Sequence, residues 1–186
     1  MDKIIFFEND IANRNMTRCI GQVYKNFLDY AFERTDYFMM VYINWYGKGY
    51  TTFQKTVKKQ LDPYKIKSRS NPSWPGTLGT WSKNTTYKVV FYRNVPEAKE
   101  ILLCVNGMNE WSANYGPEDL AFFEGNQCWF YSVGHEGIAA ILHANEKDLD
   151  FVESNGLSDR RLAKNYSTWY DSFNEDLERY AEKHKK

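Results

Sequence analysis

Apolar and polar positions alternate along this chain with two periods, one helical and one extended. Cys19, Ile20, Val23, Tyr24, Phe27, Leu28, Ala31 and Phe32 recur at helical spacing, with Arg18, Gln22, Lys25, Asn26 and Asp29 between them. This predicts an amphipathic helix over residues 16–34, with N-cap candidates among Asn9, Asp10, Asn13 and Asn15. Before it, Lys3 to Phe7 reads as a short first strand or an apolar lead-in. After it, Asp36 to Tyr46 is dense in aromatic and β-branched residues and reads as a buried strand, punctuated by Gly47 and Gly49. Thr51 or Thr52 then caps a short helix through Phe53, Val57 and Leu61 that ends at Pro63. Tyr64 to Ser70 is a candidate short strand, and Thr86 to Tyr92 a firmer one.

Between these two strands lies one long loop, Asn71 to Asn84, with Pro72, Pro75, Gly76 and Gly79 in it. Its Trp74 and Trp81 are expected to be exposed or half-buried, pinning the loop to the core or serving a function. Pro96 suits the first position of a helix, with Glu97 and Glu100 near its positive end and Gly107 as a stop. Leu120 to Phe123, a Glu124-Gly125-Asn126 turn and Gln127 to Val133 form a hairpin signal, extended by Ile138 to His143 into a meander. Period-two alternation puts Cys128 and Trp129 on opposite faces. Glu146 to Ser154 is a helix. Ser158 is the expected cap of a long last helix, with Tyr166, Trp169, Tyr170, Phe173, Leu177 and Tyr180 on one stripe. These elements predict a single α+β domain over residues 1–186: a mixed, mainly antiparallel sheet, helices on one face and a long C-terminal helix.

The chain can bury a real core. It carries 14 Tyr, 12 Phe and 6 Trp, large rings that offset a polar average and argue against disorder. Cys19, Cys104 and Cys128 are odd in number and lack metal-ligand spacing, so they read as small buried apolar residues rather than disulfide or zinc partners. Residues 1–7 are too short for a signal peptide, and no apolar run approaches a membrane span, so a cytoplasmic protein is expected.

The zero net charge hides a split. Residues 1–93 carry 15 Lys/Arg and 7 Asp/Glu, and residues 94–186 carry 9 and 17. Lys48 to Arg93 holds ten bases against Asp62 alone, whereas Asn94 to Leu157 holds eleven acids against Lys99 and Lys147. A basic segment of this kind could contact phosphates, with Trp74, Trp81, Tyr87 or Tyr92 as stacking rings. The acidic segment could dock a basic protein through Glu110, Trp111, Tyr115, Glu146, Asp148 and Asp150.

No catalytic constellation is expected. His135-Glu136 with His143 departs from the metalloprotease pattern, because eight residues separate the histidines instead of four and the second lies in a strand. No metal and no cofactor is expected. Pro117, Glu118 and Asp119 at one end of the meander, and His135 and Glu136 at the other, read as turn residues whose side chains bond to backbone. Tyr115 to Leu142, with Pro117, Glu118, Asp119, Trp129, His135 and Glu136 in place, resembles a pattern in small bacterial immunity-type proteins found beside polymorphic toxins. That resemblance spans about a sixth of the chain. It implies a non-enzymatic cytoplasmic inhibitor of a cognate toxin. The rival expectation is a nucleic-acid-binding accessory protein using residues 48–93.

Overall fold

The computed structural model describes residues 2–10, 13–14, 18–71, 73–77, 84–112 and 116–166. Their order is β1 (Lys3–Phe6), β2 (Glu8–Asp10), β3 (Asn13–Arg14), α1 (Gln22–Arg34), β4 (Tyr37–Asn44), α2 (Thr52–Leu61) and β5 (Lys65–Ser70). There follow β6 (Thr86–Arg93), α3 (Pro96–Leu102), β7 (Glu118–Glu124), β8 (Gln127–Val133), β9 (Ile138–Ala144), α4 (Glu146–Ser154) and β10 (Lys164–Asn165). Eight strands form one sheet in the order β10-β1-β9-β8-β7-β4-β6-β5, and β2 and β3 pair separately. The α+β class is as expected. The sheet is not mixed, however: every pairing among the described strands is antiparallel.

Strand alternation divides the sheet into two buried faces. Phe38, Met40 and Tyr42 of β4 point to one side, where they meet Tyr24, Phe27, Leu28 and Ala31 of α1, Val57 and Leu61 of α2, Ala98 and Leu102 of α3, and Leu149 and Val152 of α4. All four described α-helices therefore pack on one face. Met39, Val41 and Ile43 point to the other side with Val89, Phe91, Ala121, Phe123, Cys128 and Tyr131, and Trp74 joins them. A strand buried on both faces needs a continuous apolar run, and Tyr37–Asn44 supplies one. Cys128 and Trp129 do face opposite sides. The β7–β8 register slips between Phe122↔Phe130 and Phe123↔Cys128, so Trp129 is a bulge residue and shares the helix side with Phe130.

Several local readings hold. Thr51 and Gln54 form a reciprocal capping box at the start of α2. Pro96 opens α3, and a turn joins β7 to β8 at Gly125-Asn126, with Glu124 of the expected turn belonging to β7 and pairing with Gln127. Others change. Helix α1 begins at Gln22, because Ile20 bridges to Gly107 and Gly21, at φ 59°, donates its N–H to the Asn106 carbonyl. Asp159 rather than Ser158 caps the next element, a 3-10 turn over Arg160–Leu162, and β10 follows. Tyr166 donates its backbone N–H to the Asp2 carbonyl and packs on the His143 ring at 3.8 Å. The rest of the expected last helix lies outside the described residues. Trp74 is buried, not exposed, while Cys104 is exposed, unlike Cys19 and Cys128.

Candidate functional site

The meander brings the two predicted turn clusters together. Its centre is Asp119. Opposite β4 the register runs Met39↔Ala121 and then Val41↔Glu118, so two residues of β7, Asp119 and Leu120, face one of β4. Asp119 takes up the bulge at φ 56°, a left-handed conformation that aspartate tolerates better than most residues. Its carboxylate thereby enters the protein and meets the loop between β5 and β6. There Trp74-Pro75-Gly76-Thr77 closes a tight turn through Trp74 N–H to the Thr77 carbonyl and Thr77 N–H to the Trp74 carbonyl. Proline at its second position and Gly76 at φ 86° suit such a turn.

Asp119 Oδ2 accepts from Trp74 Nε1 at 2.6 Å and from Thr77 Oγ1 at 3.2 Å, and Oδ1 accepts from the Gly134 N–H at 2.8 Å. One buried carboxylate thus ties three segments together: the loop, the start of β7 and the β8–β9 turn. Burial, and after it the adjacent Glu118 carboxylate, push the Asp119 carboxyl up to about 7; the Trp74 and Gly134 hydrogen bonds and His135 pull the other way.

Glu118 is also buried, and its Oε1 lies 2.8 Å from His135 Nδ1. The imidazole is half-exposed, with Nε2 3.8 Å from Glu136 Oε1. So His135 bonds a side-chain carboxylate rather than backbone, and Asp119 is the member of the set that takes a backbone N–H. A carboxylate-oriented histidine can act as a general base where a nucleophile stands beside it. Among the described residues no Ser, Thr or Cys side chain hydrogen-bonds His135; the Cys128 thiol donates to the Phe130 carbonyl instead.

Glu118, Asp119 and His135 place ligand atoms within 4.8 Å of one another, close enough to surround a cation. The donor set fits poorly. Both Asp119 oxygens already accept from N–H and O–H donors aimed at them, and Glu118 Oε1 is held by His135. A cation would have to displace those donors from a buried site.

The predicted acidic docking set comes apart. Trp111 is fully buried, stacked on Phe53 at 6.1 Å, and donates from Nε1 to the Tyr24 hydroxyl. Asp148 is also fully buried. It completes a capping box with Asn145, accepts from the Tyr30 hydroxyl at 2.8 Å and from Trp129 Nε1 at 3.3 Å, and lies 3.8 Å from Arg34 Nε. Both belong to the interior and present no docking surface. Glu110 is exposed, with its Oε1 accepting from the Asn106 N–H, and Tyr115 lies outside the described residues. Glu146 and Asp150 are exposed and pair with Arg160 at 2.6 and 2.9 Å, with Glu153 at 3.9 Å from the same guanidinium.

Three of the four expected stacking rings fail for the same reason. Trp74, Tyr87 and Tyr92 are buried, and Trp81 lies outside the described residues. Among the described residues, exposed large rings near the basic segment are found at Trp45 and Tyr46, just before it, at the end of the expected Asp36–Tyr46 strand. Among the described residues no helix is long and apolar enough to cross a membrane. No family model, curated protein or solved structure matches the chain.

Proposed function

We propose that this chain is a non-enzymatic cytoplasmic protein-binding module, an inhibitor of the immunity-protein kind that blocks a cognate toxin. One observation carries the reading beyond the resemblance of residues 115–142. Arg160 gathers the exposed Glu146, Asp150 and Glu153 side chains, so an acidic face of α4 is held in place before any partner arrives. Preorganised charge speeds and selects association with a basic partner. The Asp119 carboxylate supports the same view, since its hydrogen bonds all run to scaffold groups.

The test compares capture of a partner by the wild-type chain and by Glu146→Lys/Asp150→Lys/Glu153→Lys, from lysate of its own source, with a salt-gradient elution. The expected result is one small basic protein, held at least tenfold more weakly by the variant, on the order of 1.4 kcal/mol. Equal retention by both would overturn the acidic face. A second reading, a nucleic-acid-binding accessory protein using the basic segment, is favoured by a different observation. Lys55, Lys58 and Lys59 of α2 have no ion-pair partner among the described residues.

A further inference from the structure

The short connector between β4 and α2 is unusual in what it leaves outside. Trp45 is 38% and Tyr46 63% exposed, with ring centroids 6.3 Å apart. Tyr46 sits at φ 52°, ψ 30°, left-handed backbone that costs a tyrosine about 1–2 kcal/mol. Core packing gives no reason for this, because the ring is not part of either buried cluster. The conformation is held by the Tyr46 N–H donating to Thr85 Oγ1 at 3.3 Å and the Gly49 N–H donating to Asn44 Oδ1 at 2.7 Å. Strained, well-held backbone that keeps a large ring in solvent is a mark of recognition sites.

The chain then runs through Lys48 to Tyr50, which lines an open cleft with Lys55, Lys58, Lys59 and Asp62. The three lysines follow the i, i+3, i+4 spacing of one helix face, and Tyr50 lies only four residues from Tyr46, within about 15 Å of chain. Asp62 is the one acid of the cleft, and its ion pair is with Lys65. The result is an exposed pair of rings a few residues of chain away from a cleft whose three lysines have no ion-pair partner among the described residues.

We propose that this surface binds single-stranded nucleic acid, with unpaired bases stacked on Trp45 and Tyr46 and the adjoining phosphates on Lys55, Lys58 and Lys59. The assignment rests on the second functional reading and locates it at rings other than those of the β5–β6 loop. The rings decide between the forms of nucleic acid. Bases in a duplex are stacked on one another and offer no free face, whereas a single strand can lay each base on an aromatic side chain. An acidic protein could also use exposed aromatic rings, so the rings separate single strand from duplex, and the polyglutamate arm of the test separates nucleic acid from acidic protein.

The test is fluorescence anisotropy with a labelled oligothymidylate of about 15 nucleotides, a duplex of the same length and a polyglutamate peptide, at about 50 mM salt. The single strand is expected to bind most tightly. Three phosphate contacts predict about a 20-fold loss of affinity from about 50 to about 200 mM salt. Trp45→Ala and Tyr46→Ala, both exposed and thus compatible with folding, should each weaken single-strand binding at least about fivefold and leave polyglutamate unaffected. Lys55→Glu/Lys58→Glu/Lys59→Glu should abolish it. Binding of no oligonucleotide would end both the site and the reading beneath it. Binding of duplex and single strand alike, insensitive to Trp45→Ala, would overturn the site and leave that reading standing. Polyglutamate binding as tightly as the single strand would overturn the nucleic-acid assignment and make this a docking surface for an acidic protein.

Discussion

Stability against guanidinium should fall as pH rises from about 4 to about 7, and level off above, by an amount on the order of 2–4 kcal/mol attributable to Asp119. The sign follows from its carboxyl, which ionises near its ordinary 3.8 when the chain is unfolded and at about 7 when folded. In that window the native state binds more protons than the unfolded state, so each step up in pH favours unfolding. Asp119→Asn removes the titration. The difference between the wild-type and Asn profiles therefore removes every group that does not interact with Asp119 and reports Asp119 together with its neighbours Glu118 and His135. A difference that stays flat across the window would mean that Asp119 is not sealed as described. At about pH 5, Asn should cost roughly 1–2 kcal/mol, because its amide offers an acceptor to one side of the node and a donor to the other. Asp119→Ala should cost about 3–5 kcal/mol, since Trp74 Nε1, Thr77 Oγ1 and the Gly134 N–H lose their acceptor together.

Gly134→Ala is the other severe substitution. A Cβ there would stand 2.2 Å from the Trp111 carbonyl oxygen and 3.1 Å from Ser112 Cα, so backbone must move on one side or the other. That movement would also pull the Gly134 N–H from Asp119. The expected cost is about 3 kcal/mol or more, or a melting temperature lower by roughly 6–12 °C. Gly125→Ala is the control. Its Cβ would meet nothing within 4 Å, and only its φ of 56° is at stake, for about 1 kcal/mol. If thermal melts rank the two variants equally, the close approach of the β8–β9 turn to Trp111 is wrong.

Regular elements were legible where a short period decides them. The continuous apolar run of β4 marked a buried strand, and Thr51 and Pro96 marked helix starts by chemistry that acts within one turn. The bulges at Trp129 and Asp119 were not legible, because a bulge is a mismatch between two strands and either strand alone reads as regular. The start of α1 was missed for a related reason: the bridge from Ile20 to Gly107 spans more than eighty residues.

The site divides along the same line. The residues themselves marked Pro117, Glu118, Asp119, His135 and Glu136 as turn chemistry, and the charge split between residues 48–93 and 94–157 was plain from composition. Which charges remain free was a tertiary outcome. Asp148 and Trp111 are polar-capable groups whose partners, Tyr30, Trp129 and Tyr24, come from distant elements, so burial turned two expected contact residues into scaffold. Trp74 went inward because the Asp119 bulge supplied an acceptor for its N–H, while Trp45 and Tyr46 stayed outside. Local periodicity and capping act through neighbours a few bonds away, and sequence alone determines them. Burial depends on which long-range partner satisfies each polar atom, and only the folded chain decides that.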